Sequence, residues 1–423
     1  MVRGTSLLGL VGAAAMLIAA PLGHAQDSPI TVDGDAVFTS GLSDGDVSAT
    51  DFDARVDVTA TSHAVRGLEL GAGGGVRVDG NRADRRAAGG RYSSFTFGGQ
   101  RGVGPQSTDV FVDRAYVFAK GGFGSVSVGS DAGVAEKLAV TSPTIFRALG
   151  VNDWRADPSG FNDVHTVNDF SGNAAKITYM PPAGLFGGVI GNVQMGVSYA
   201  PELESCGVDE CSPLGNIVPG QNNELIVGQD GQVLVRDQRW RDVSEAALYY
   251  QNGFSMGGDR LLLGIGASFV RADQDETGSL NDDFVEDYEA LALGLNLAYG
   301  DLTIGGSVKT TNAGLDEGAL GESDYLAFDA GITYQAGDWR MMLGYGEADA
   351  ERDASLLVGP TNGIAVPYAL DRRTQTAQAG VAYVLGHGIT LGAAAQFVES
   401  NKPGALGGDK DTASVMIESS IRF

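Results

Sequence analysis

The sequence predicts an all-β fold: a transmembrane antiparallel β-barrel of about sixteen strands. Three observations carry that expectation. Stretches of about ten residues alternate apolar and polar side chains with period two, which puts one chemistry on each face of a strand. The joins between them alternate between tight turns and long polar segments, as expected of a barrel with periplasmic turns and external loops. After the first 25 residues, no apolar run is long enough for a membrane helix, which needs about 20 residues. The 63 glycines, the 43% hydrophobic content and the net charge of −25 fit such a wall, because its alternation averages out in the composition.

The chain begins with an export signal. Arg3 supplies the charged start, Leu7 to Ala20 the apolar run and Gly23-His24-Ala25 the small-residue cleavage site, so residues 1–25 are read as a signal peptide. The rest, 26–423, shows no proline-rich or low-complexity break and is read as one domain. Its negative charge argues against nucleic acid and anionic lipid as electrostatic partners. Cys206 and Cys211 lie close together in a polar segment and, in an exported protein, are expected to form one small disulfide. No further thiol or imidazole lies near enough in sequence to complete a metal site.

The strands are read at 30–41, 51–62, 67–79, 109–120, 123–131, 173–181, 189–200, 240–253, 259–272, 285–299, 302–312, 324–335, 339–349, 372–385, 389–399 and 412–423. The clearest hairpin sets Leu291, Leu293, Leu295, Leu297 and Tyr299 on one face, turns at Gly300-Asp301, and continues through Leu302, Ile304 and Val308. Further hairpins turn at Gly337-Asp338 and at Gly386-His387-Gly388. Phe123, Tyr299, Tyr334, Trp339, Tyr383 and Phe423 all lie beside short turns, where an aromatic girdle meets the headgroups. A closed wide barrel has a wet lumen, so its inward residues need not pack. In the second strand Phe52, Ala54, Val56 and Val58 face lipid, leaving Asp53, Arg55 and Asp57 inside. In the third, Arg77 faces in, and Arg114 and Lys176 fit the same pattern.

The join from Asp131 to Gly172 is too long for a turn and too apolar for a linker. Ser142-Pro143 can start a short helix with Ile145, Phe146 and Leu149 on its apolar side and Gly150 at its end. Asp153, Asp157, Asp163 and Asp169 follow. The segment is read as folded against something.

The signal sequence, the hairpin series, the long insertion after SVSVGSDAG, the return strand AAKITYMPP and the final strand TASVMIESSIRF together resemble the general bacterial porins, in style those of alphaproteobacteria. The resemblance spans the mature chain. It implies a homotrimer in the outer membrane of a Gram-negative bacterium, contacting lipid and lipopolysaccharide. It also implies that the final strand, ending in Phe423, is read by the outer-membrane assembly machinery. The third loop, 131–172, is then the inward one that narrows the pore. A basic wall of Arg55, Arg77, Arg114 and Lys176 would face loop acids Asp153, Asp157 and Asp163, with Glu136 and Asp169 as further candidates. Two blander readings stand beside this: arginines that bridge wall carboxylates, and loop acids that are simply solvated. The arginines of the second loop, Arg82, Arg85, Arg86, Arg91 and Arg101, would meet a neighbouring subunit. The implied function is passive diffusion of small hydrophilic solutes and ions with mild cation preference and no cofactor. A substrate-selective channel or an outer-membrane enzyme barrel are the alternatives.

Other chemistry is weakly signalled. Gly253-Phe254-Ser255-Met256-Gly257 matches a hydrolase pattern but sits between two strands, where no strand-to-helix elbow can form. Asp273, Asp275, Thr277 and Gly278 open like a calcium loop, yet Phe284 stands where a bidentate Glu is required. With Asp282, Asp283, Glu286 and Asp287 this fifth loop is either a divalent-cation or lipopolysaccharide contact or a plain acidic rim. His63, His165 and His387 are too scattered for a triad.

Overall fold

A strand that crosses lipid has no water to satisfy its backbone, so every amide must find another strand and the sheet must close. The computed structural model describes residues 30–43, 48–63, 67–79, 109–152, 162–183, 191–203, 240–256, 259–274, 287–312, 323–354, 368–369, 372–401 and 409–423. They form sixteen long strands: β1 (Ile30–Ser43), β2 (Ser48–His63), β3 (Glu69–Asp79), β4 (Asp109–Gly121), β5 (Gly124–Ser130), β6 (Ala175–Met180), β7 (Asn192–Leu203), β8 (Trp240–Met256), β9 (Asp259–Gln274), β10 (Tyr288–Tyr299), β11 (Leu302–Thr311), β12 (Ser323–Ala336), β13 (Trp339–Ala354), β14 (Arg372–Gly386), β15 (Ile389–Asn401) and β16 (Lys410–Arg422). A two-residue stretch, Tyr368–Ala369, pairs with the tip of β13. Each strand is antiparallel to its neighbours in chain order, and β1 pairs with β16, so the ring closes. The sixteen expected strands are all present.

The two faces have opposite chemistry. Leu291, Leu293, Leu295, Leu297, Phe328, Met341, Leu343, Leu391, Phe397, Val415 and Ile417 are exposed, while their chain neighbours Ala290, Ala292, Ala327, Asp329, Met342, Gln396 and Ser414 are buried. Apolar side chains outside and polar ones inside invert the pattern of a protein dissolved in water and suit a wall in lipid. Near the short turns, Trp339 meets Tyr383 edge to face at 4.9 Å, and Phe123 and Tyr334 stand exposed. Phe423 closes the last strand onto the first by two 3.0 Å backbone hydrogen bonds with Gly34. A side chain at Gly34 would collide with the Phe423 ring.

The interior departs from the expectation that inward residues need not pack. On the inner face of β7–β13, Trp240, Val243, Val270, Tyr288 and Tyr325 form a dry cluster with Ala135, Val164 and Phe170 of the third loop. Phe170 stacks on Tyr288 with centroids 3.8 Å apart and meets Trp240 edge-on at 5.5 Å. A second cluster joins Ile145, Phe146 and Leu149 to Met342, Ala382, Ala394 and Met416. Burying one such side chain contributes about 1.5–3 kcal/mol, so the loop brings its own core into the lumen. Wall and loop share one interior.

Closure is directly testable at Leu42 and Val415, which are register partners across the β1–β16 seam. With Cys206 and Cys211 replaced by Ser, the pair Leu42→Cys/Val415→Cys should oxidise within the monomer and give a band whose mobility shifts on reduction. An open edge would leave both thiols free or link two chains.

Candidate functional site

Glycines at inward positions make a bed for the third loop. Val140 lies on Gly266 and Gly294, Ser142 and Pro143 on Gly331, the Phe146 ring on Gly380 and Gly392, Val151 on Gly344 and Val164 on Gly346. A Cβ on Gly294 would fall onto the Val140 carbonyl, so backbone meets backbone there. The bed runs over β9, β10 and β12–β15.

Three buried wall carboxylates then hold the loop by its amides. Glu245 on β8 accepts from Ala135 N–H (3.4 Å) at the start of the loop and from the Ser171 hydroxyl at its end. Asp329 on β12 accepts from Ser142 N–H (3.2 Å) and Thr166 Oγ1 (3.0 Å). Glu418 on β16 accepts from Arg147 N–H (2.9 Å) and Ala148 N–H (2.9 Å). Lys309 on β11 donates to the Val167 carbonyl (2.9 Å), and the Tyr325 hydroxyl donates to the Asp163 carbonyl (2.9 Å) while accepting from His165 N–H (3.0 Å).

These contacts explain a correction. The helix expected at 142–150 does not form; among the described residues of the loop the helix is the single turn α1 (Val134–Lys137). A helix satisfies amides internally, whereas here Ser142, Arg147 and Ala148 give theirs to wall carboxylates, and charged acceptors make the stronger bonds.

The described part of the loop therefore lies along one side of the lumen, with β1–β5 on the other. That wall is charged. Arg55 Nε sits 2.8 Å from Asp57 and 3.3 Å from Asp113; Arg114 Nε sits 3.8 Å from Asp57 and 3.6 Å from Asp131; Arg77 pairs with Asp53. Two loop bases edge the same lane: Lys137 meets Asp131 at 2.6 Å, and Arg147 meets Asp35 at 3.0 Å. A bulge between β3 and β4 makes this possible, because the register slips so that Arg114 opposes Gly75 and Val112 opposes Val76. Asp113 is the extra residue. Beyond the slip the alternation resumes on the other parity, and both Asp113 and Arg114 face in.

Most of the residues singled out in the sequence fall into three groups: on the lane, buried at the seam of the loop, and outside the described residues. Arg55, Arg77 and Arg114 come together on the lane, with the wall carboxylates Asp53, Asp57 and Asp113, and Asp131 at the root of the loop, as their partners. Lys176 is buried beneath the neck of the loop, donating to Ser171 Oγ (2.5 Å) and the Gly172 carbonyl (2.6 Å), and does not line the lane. Asp163 is fully buried between loop and wall, 3.4 Å from Thr374 Oγ1, and so does not face a water-filled gap. Asp169 lies 2.7 Å from His165 Nε2. Glu136 is exposed on α1. Asp153, Asp157, Cys206, Cys211, the second-loop arginines, His63 as a side chain and most of the fifth loop lie outside the described residues. Among the described residues no group of three or more His, Cys, Asp or Glu is arranged to hold a metal ion. The sequence reading missed Glu245, Asp329, Glu418, Lys137 and Arg147. The signal for the first three was a lone carboxylate at an inward position of an otherwise small or neutral strand face.

Glu418→Ala should unfasten the loop at Arg147. Two hydrogen bonds to a charged acceptor contribute about 1.5–3 kcal/mol each, so amide exchange across 144–149 should accelerate about tenfold or more, with the strands unchanged.

The comparisons agree with this architecture. The family model described as Gram-negative porin matches residues 12–403. No curated protein sequence matches the chain. Among solved structures the chain is similar to OmpF of Salmonella typhi in complex with daunomycin, at 14% identity over 93% of this chain and 97% of that one, with a TM-score of 0.54. It is also similar to an anion-selective porin from Comamonas acidovorans (15% identity, 93% and 99% covered, TM-score 0.51). The outer membrane channel DcaP of Acinetobacter baumannii is a further neighbour (12% identity, 93% and 97% covered, TM-score 0.51). At these identities the structures speak for the fold, and the family match speaks for the lineage. The closed sixteen-strand barrel with its apolar exterior is thus that of an outer-membrane channel, and the chain belongs to the Gram-negative porin family.

Proposed function

We propose that the mature chain, 26–423, is a passive channel for small hydrophilic solutes and ions that leans towards cations and works without a cofactor. One observation carries the reading: a partly exposed charged lane on the inner face of β1–β5, beside a loop bonded to the opposite wall. The loop 131–172 narrows the lumen to that lane. The resemblance supports assembly as a homotrimer, contact with lipopolysaccharide and use of the C-terminal strand, with Phe423, as an assembly signal.

Cation preference follows from the charge balance. With a net charge of −25, the molecule enriches cations at its mouths, while Arg55, Arg77 and Arg114 oppose this locally. Each of these arginines already faces a carboxylate, so the lane itself contributes little net sign. In planar bilayers under a KCl gradient the reversal potential should show a modest preference for potassium. Replacing Arg55, Arg77 and Arg114 together by Ser should increase it. A clear chloride preference in the unmodified protein would contradict the reading.

A further inference from the structure

Six of the lane's charges form one unbroken series of alternating sign. Lys137 meets Asp131 at 2.6 Å, Asp131 meets Arg114 at 3.6 Å, Arg114 meets Asp57 at 3.8 Å, Asp57 meets Arg55 at 2.8 Å, and Arg55 meets Asp113 at 3.3 Å. Three cations and three carboxylates cancel. Their exposure differs, however. Asp113 (2%) and Asp131 (7%) are buried beneath, whereas Arg55 (23%), Asp57 (28%), Arg114 (22%) and Lys137 (28%) reach the water. Within this series a passing solute meets one carboxylate, Asp57, set between Arg55 and Arg114, with Lys137 beyond Arg114; the separate pairs Arg77–Asp53 and Arg147–Asp35 lie beside it.

On the loop side most of the described acids are taken up, with Glu136 on α1 the exposed one. Glu245, Asp329 and Glu418 are buried on loop donors, Asp163 is fully buried, and Asp169 is held by His165. The field of these groups therefore runs along the wall from one charge to the next.

We propose that the lane favours small zwitterions of the α-amino-acid type over neutral solutes of equal size, the ammonium meeting Asp57 and the carboxylate meeting Arg114 and Lys137. A solute with one charge gains at one lane group and loses at the next. A zwitterion aligned with the wall gains at both ends, and a neutral solute gains only hydrogen bonds that water already supplies. The proposal rests on the reading of the chain as a passive channel and adds a solute class to it.

Glycine and its isomer glycolamide contain the same atoms and differ in charge separation, so they isolate the effect. In proteoliposome swelling the wild-type channel should admit glycine at least about twofold faster than glycolamide. In Asp57→Asn/Arg114→Gln, which removes one charge of each sign, the ratio should fall towards one. Equal rates in the wild type overturn the proposal without any variant, as does an unchanged ratio in a variant that still conducts KCl. If neither solute enters faster than into protein-free liposomes, the channel reading itself fails.

Discussion

Lipid leaves a strand no partner but another strand, and most of this molecule follows from that constraint. Closing sixteen strands satisfies the backbone but encloses a space wider than side chains from the wall alone can fill. The chain fills part of it with its third loop. Phe146, Val140, Val151 and Val164 settle onto glycines of the wall, and Phe170 docks among Trp240, Tyr288 and Tyr325. The result is a lumen divided lengthwise into a dry, packed side and a wet, charged one.

The division depends on where carboxylates stand. On the packed side Glu245, Asp329 and Glu418 are buried, which is costly for a charge unless it is well bonded. Each receives several donors from the loop or wall, so the same groups that are expensive to bury fix the path of the loop. Removing one would strand amides in a place water reaches poorly. On the wet side Asp57, Asp113 and Asp131 neutralise Arg55, Arg114 and Lys137, and no long ladder of one sign develops. Loop placement and solute chemistry are thus set by the same residue type in two surroundings.

Much of this was legible in the chain. The hairpins from Glu289 to Thr311 and from Leu326 to Tyr345 announce themselves by alternation, and the inward placement of Arg55 and Arg77 follows from the apolar residues beside them. Period two is a local signal, so it survives without knowledge of the fold. The loop was recognisable as folded by its length and its apolar residues. Its conformation was not, because the amides of Ser142, Arg147 and Ala148 are satisfied by Asp329 and Glu418, up to 271 residues away in sequence. Local rules read Ser-Pro followed by an apolar stripe as a helix, and tertiary acceptors overrode them. The bulge at Asp113 was hidden for a related reason, since a register slip depends on the partner strand. Asp163 and Lys176 were drawn to the pore by their charge, yet the structure buries both in the seam that holds the loop.

Whether the loop covers one wall and leaves the lane open is decided by single-channel current during thiol modification. With Cys206 and Cys211 replaced by Ser, one cysteine is placed at Arg77 on the lane, and in a second protein at Ser307, beneath Thr166 of the loop. A charged methanethiosulfonate reagent should change the conductance in discrete steps at position 77 and leave it unaltered at position 307. Modification at 307 with the barrel intact, or an inert position 77, would contradict the account.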